Sequence, residues 1–108
     1  AMVVQPDALF FVHRRRIIEF AAKDGLPVMY RFTEDVEAGG LMAFATEYRA
    51  LYARAPVFVD KILKGAKPGD IPIEQPTRFG LWLNLKTARA LDVTFPPAIL
   101  ARAERVIE

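Results

Sequence analysis

The stretch EAGGLMAFATEY, residues 37–48, brings side-chain types and spacing nearest to a ligand site: an acidic turn, two glycines and a short apolar run. A phosphate cradle needs GxxxxGK[ST], or GxGxxG between a strand and a helix. Gly39-Gly40 instead precedes a strand and has no lysine after it, so it is not a phosphate loop. Two readings stay open: a tight turn that requires positive φ, or a loop that carries backbone N–H groups to a small molecule. Glu34, Asp35 and Glu37 are the nearest approach to a metal-ligand set, and they read as a solvated acidic turn. A hydrolytic triad needs a nucleophile beside a base. The chain has no serine and no cysteine, its one histidine is His13 in the run HRRR, and nothing marks out a threonine or lysine as a substitute. The sequence therefore points to a non-enzyme without metal or cofactor.

The charge pattern excludes a second class. The net charge is +2 and the pI near 9.2, but apart from His13–Arg16 the basic residues are dispersed. That run reads as a solvated helix face, so no nucleic-acid partner is expected. With no cysteine there is no disulfide framework. No apolar stretch reaches the roughly 20 residues of a membrane span, and AMVVQPDALFF lacks the charged start of a signal peptide. Its abrupt apolar opening predicts a fragment of something longer.

Positioning these residues requires an α/β fold. AMVVQ (1–5) reads as a short buried strand. Asp7 is placed to cap a helix running to Gly25, anchored by Phe10, Val12, Ile17, Phe20 and Ala21. PVMYRF (27–32) is the next strand, and a helix of that length between them makes the pair parallel. TEDVEAGG is a polar turn with at most one helical turn, and LMAFA (41–45) is a third buried strand. Thr46 is placed to cap a helix with Tyr48, Leu51, Tyr52, Ala55, Val59, Ile62 and Leu63 on one face, kinked or divided at Pro56. TRFGLWLNL (77–85) alternates as a strand. KTARAL is a short helix, and Pro97 starts a last amphipathic helix through Ile107. The fold class is α/β, an open, Rossmann-like, mostly parallel sheet flanked by helices. In such sheets ligands bind beyond the carboxyl ends of the strands. Gln5, Asp7, Phe32, Phe44, Ala45 and Thr46 occupy those ends and become the candidate contacts, together with Gly39 and Gly40.

EAGGLM, VDKILKGAKP, EQPTRFGLWLNLKTARAL and the closing VIE resemble the C-terminal half of the substrate-binding components of ABC importers, in the group with tryptophan- and tyrosine-binding members. The resemblance spans essentially all 108 residues. It implies one lobe of a type I periplasmic binding protein, with residues 1–85 as the ligand-binding lobe. Residues 86–108 would be a helical tail returning toward the hinge and an absent N-terminal lobe, or associating with another copy. It further implies a small-molecule solute, such as an amino acid or aromatic acid, a membrane permease as partner and an extracytoplasmic location. Gly39-Gly40 would shape a turn at the cleft rim. The same fold also serves as a ligand-sensing module of regulators and receptors. Where the family reads Ser-Tyr-Gly-Pro after Gly-Gly-Leu-Met, this chain has Ala43-Phe44-Ala45-Thr46. Either its ligand is more apolar or the lost hydroxyls made no ligand contact.

Overall fold

The alternation of short apolar runs with amphipathic segments produces an α/β structure, seen in a computed structural model that describes residues 1–46 and 48–108. The chain divides into two compact units, residues 1–45 with 80–108, and residues 46–79. This division does not follow the expected boundary at residue 85.

The strands β1 (Met2–Val3), β2 (Val28–Tyr30), β3 (Met42–Thr46), β4 (Phe79–Asn84) and β5 (Arg105–Ile107) lie in that order in one sheet. Its helices are α1 (Ala8–Val12), α2 (Arg14–Lys23), α3 (Thr33–Glu37), α5 (Leu85–Ala90) and α6 (Pro97–Leu100), while α4 (Tyr48–Leu63) lies in the second unit. β1, β2 and β3 run parallel, with Met2 opposite Val28 and Met29 opposite Met42; β4 and β5 are also parallel. The Asn84 N–H donates to the Leu41 carbonyl at 2.9 Å, which sets the end of β4 beside the start of β3. The sheet is therefore mostly, not wholly, parallel.

Helices cover both faces. Ala21, Val28, Tyr30, Val36 and Ala43 form one buried cluster beneath α2 and α3; Leu41, Leu83, Ala88 and Phe95 form the other beneath α5 and α6. Asn84 ties the two sides together: its Oδ1 accepts the Thr87 N–H and caps α5, while its Nδ2 donates to the Val36 carbonyl. Among the described residues, no helix is long and apolar enough to cross a membrane.

Several expectations are corrected. The first strand is an edge strand of two residues and is not buried; Val3 is 57% exposed, since nothing lies outside it in the sheet. The first helix breaks at His13, whose φ of −95° and ψ of 15° leave the helical region. The Arg14 guanidinium donates to the Phe11 carbonyl at the end of α1, across the break. The helical turn allowed for within residues 33–40 is α3, whereas α4 is one helix through Pro56 rather than two. Whether Thr46 caps α4 turns on Glu47, outside the described residues.

The largest difference lies in the tail. The expected helix from Pro97 stops at Leu100, and Arg105–Ile107 form β5 instead. Two β-branched residues, Val106 and Ile107, sit opposite Leu83 and Asn84, and the Arg105 guanidinium lies 5.0 Å from the Trp82 ring centre. Ile99, Leu100 and Ala103 pack on the second core cluster, so this tail is an integral part of the first unit.

Candidate functional site

The parallel register of β1, β2 and β3 brings their carboxyl ends to one edge of the sheet. At the first end, Asp7 is extended and its carboxylate accepts the Leu9 N–H at 2.7 Å, so it caps α1 as the sequence suggested. At the second end, Phe32 is the N-cap residue of α3. Its ring meets Phe11 edge to face, with centroids 5.0 Å apart, and the Arg14 guanidinium lies 4.7 Å from the Phe11 ring centre. Gln5 and Phe32 line one crevice with Phe11, Arg14, Tyr30 and Asp35, too narrow to hold a water.

Asp35 gives this crevice its unusual electrostatics. It was expected on an exposed acidic turn, yet it is 3% exposed in the first turn of α3. Its carboxylate accepts a hydrogen bond from the Phe32 backbone three residues earlier, half of a capping box. Burial pushes its pKa up to about 6; the Phe32 hydrogen bond and the charge of Arg14 oppose the rise, and Glu34 adds to it. Burial, then the charge of Asp35, pushes the Tyr30 hydroxyl up to about 12. Asp35 Oδ1 and Arg14 Nε are buried without a hydrogen-bond partner among the described residues. The edge thus holds an acceptor and a donor, both unsatisfied, under an aromatic pair.

The glycine pair lies elsewhere. Gly39 and Gly40 precede β3, at the opposite end of the sheet from Gln5 and Phe32. Their N–H groups are committed: Gly39 donates to the Val36 carbonyl and Gly40 to the Asp35 carbonyl, the pattern of a Schellman cap closing α3. Gly39 has φ +112°, and the Thr87 hydroxyl donates to its carbonyl. A Cβ on Gly40 would stand 2.7 Å from the Tyr30 ring. The reading in which this turn offers N–H groups to a ligand is therefore replaced by helix termination and close packing.

The third strand end divides its residues. Ala45 is buried with Ala43, whereas Phe44, on the other face, is 38% exposed. A serine hydroxyl at position 43, as in the family pattern, would face the core of Val28, Tyr30 and Val36. Thr46 belongs to the second unit, where it lines a hollow of about 240 Å³ with Leu51, Arg54, Phe58 and Glu74. Phe11, Arg14, Tyr30 and Asp35 were missed from sequence; the spacing of Phe11 and Arg14, one helical turn apart, was the available signal. A second, open and mostly apolar groove of about 580 Å³ runs beside β1, lined by Val3, Gln5, Phe10, His13 and Phe20. Among the described residues, no group of His, Cys, Asp or Glu is arranged to hold a metal ion.

Residues 1–107 match the family described as ABC transporter substrate binding protein. The chain belongs to this family. No curated protein gives a significant match. Among solved structures, the ABC domain in complex with L-Trp from Streptococcus pneumoniae is 27% identical with a TM-score of 0.91, over 99% of this chain and 37% of that one. A conserved domain protein from Vibrio cholerae O1 biovar El Tor is 26% identical with a TM-score of 0.89, over 96% of this chain and 34% of its own. A ligand-free, open substrate binding protein with adhesive properties from Clostridium difficile, 22% identical with a TM-score of 0.65, shares the fold over 97% of this chain and 35% of that one. This substrate-binding family member thus spans about a third of the length of the solved chains it matches.

Proposed function

We propose that this chain is a ligand-binding lobe of a two-lobed, extracytoplasmic solute-binding protein that serves an ABC importer. The family match over residues 1–107 is the observation that carries this reading. The solute would sit at the carboxyl edge of β1–β3, between Gln5, Asp7 and Phe32 on this lobe and a second lobe. Ligand touching both lobes stabilises the closed hinge, and the membrane permease then reads that closed form. The aromatic pair Phe11–Phe32 at this edge favours a solute with an apolar or aromatic part, such as an amino acid or small aromatic acid. The L-Trp bound to the Streptococcus pneumoniae domain supports the same class. In this reading Phe44 and Thr46 flank the edge, Ala45 supports it, and Gly39-Gly40 make no contact with solute.

A thermal-shift screen of the two-lobed protein against the proteinogenic amino acids and small aromatic acids tests the proposal. Saturation at about 100 times Kd stabilises by about 2.7 kcal/mol, a shift of several degrees. A hit that Phe32→Ala abolishes supports the assignment. A flat screen across both groups of compounds refutes the amino-acid class, and a hit consumed on incubation refutes the binding-protein reading.

A further inference from the structure

An amino-acid solute at the carboxyl edge needs an acceptor for its ammonium group, and the carboxylates nearest Phe32 are already engaged. Asp7 accepts the Leu9 N–H, Glu34 accepts the Thr33 hydroxyl, and Asp35 is buried in a crevice too narrow for a water. Glu104 differs from all three. It is exposed, and among the described residues its carboxylate has no hydrogen-bond or ion-pair partner. The cation beside it in sequence is held elsewhere, since the Arg105 guanidinium lies 5.0 Å from the Trp82 ring centre.

The pairing of β3 with β4 brings Glu104 to that edge. The bond from the Asn84 N–H to the Leu41 carbonyl sets those residues opposite each other in an antiparallel pair, and counting back along both strands sets Gly80 opposite Ala45. On the other side of β3, Tyr30 faces Ala43 and Phe32 lies just beyond it. The edge therefore runs from Phe32 past two small residues, Ala45 and Gly80. β5 is parallel to β4 with Arg105 beside Trp82, so Glu104 enters at the same edge. Its N–H donates to the Leu81 carbonyl, and its side chain lies over Gly80, where a Cβ would stand 2.7 Å from Oε2. Neighbouring strands are about 4.8 Å apart, which puts the Phe32 and Gly80 positions about 10 Å from each other. An amino acid fits that span with its apolar side chain on Phe32 and its ammonium on Glu104. We infer that Glu104 binds the ammonium group of the solute and thereby selects amino acids over acids that lack one. This rests on the solute-binding reading above and narrows its solute class. The pairing is charge-assisted, because an ammonium only donates and a carboxylate only accepts.

Titration calorimetry of the two-lobed protein tests this with two matched pairs: L-tryptophan with indole-3-propionic acid, and L-phenylalanine with 3-phenylpropionic acid. Each acid differs from its amino acid only in lacking the ammonium. The parent should prefer the amino acid, and Glu104→Gln should weaken that amino acid by about 10- to 100-fold while leaving the acid unchanged. Gly80→Ala should act in the same direction, because its Cβ displaces the Glu104 carboxylate. Phe32→Ala should weaken both members of a pair. A parent that binds an amino acid but loses no selectivity in Glu104→Gln overturns the inference and leaves the solute-binding reading standing. A parent that binds the acids as tightly as the amino acids does the same. A parent that binds no member of either pair refutes the aromatic amino-acid solute, and this inference with it.

Discussion

Replacing Asp35 by Asn isolates the cost of burying its carboxylate. The pKa rises from 3.8 to about 6 in the folded chain, chiefly through desolvation. Because the folded value exceeds the unfolded one, the folded state holds the proton more tightly. Stability is therefore unaffected by this group below about pH 4, falls as pH rises from there to about 6, and stays reduced above it. Roughly two pKa units at 1.36 kcal/mol each set an upper limit of about 3 kcal/mol. Relaxation of the carboxylate toward Arg14 or solvent reduces this to about 1–2 kcal/mol. Asparagine keeps an oxygen to accept the Phe32 N–H and carries no charge. Urea denaturation followed by the single tryptophan, Trp82, gives the difference between variant and parent at each pH. D35N should equal the parent near pH 4 and exceed it by about 1–2 kcal/mol at pH 8, with a midpoint between these values. A difference that does not vary with pH, or a variant less stable than the parent above pH 6, refutes the reasoning.

Other substitutions probe the supports of the site. Asn84→Ala removes the cap of α5 and one of two hydrogen bonds to the buried Val36 carbonyl, which keeps the Gly39 N–H, and should cost about 1–2 kcal/mol, read as a lower urea midpoint with unchanged slope. Gly40→Ala forces a Cβ against the Tyr30 ring and the Asp35 carbonyl and should cost about 2 kcal/mol or more. At Gly80 the nearest atoms are those of the flexible Glu104 carboxylate, and the same change should cost less than about 1 kcal/mol in the same assay. Asp92 closes α5 with φ +54°, a conformation strained for any side chain, so Asp92→Gly should raise stability by about 0.5–1 kcal/mol in thermal unfolding.

The parts of the fold legible in sequence are those where one physical signal dominates. Asp7 before an apolar run marks the start of α1, Gly25 marks the end of α2, and the short runs at 28–30 and 42–46 are too apolar for anything but central strands. The tail was not legible. Ile99, Leu100, Ala103, Val106 and Ile107 fit a helical period as well as a turn followed by a three-residue strand, and only the open edge of β4 decides between them. Within the candidate site, the position of Gln5, Asp7 and Phe32 at the strand ends follows from topology alone. The burial of Asp35 does not, because an acid between two other acids reads as solvated until α3 turns it toward Tyr30 and Arg14. Gly39-Gly40 was recognisable as a turn, but whether its N–H groups were free depended on where α3 ended. The apolar face of α4 was read correctly from its period, and its exposure could not be, since periodicity does not show what covers a face.

The most direct test of the account is amide chemical-shift mapping of the isotopically labelled 108-residue chain titrated with the amino acid that ranks first in the thermal-shift screen. A lobe that supplies half of a cleft should bind weakly, with a Kd in the millimolar range, which this method detects. The account predicts shifts clustered at Gln5, Asp7, Phe11, Arg14 and Phe32, with Gly39, Gly40 and Thr87 unmoved. Shifts confined to the glycine turn and the start of α5 would contradict it and place the solute at the opposite end of the sheet.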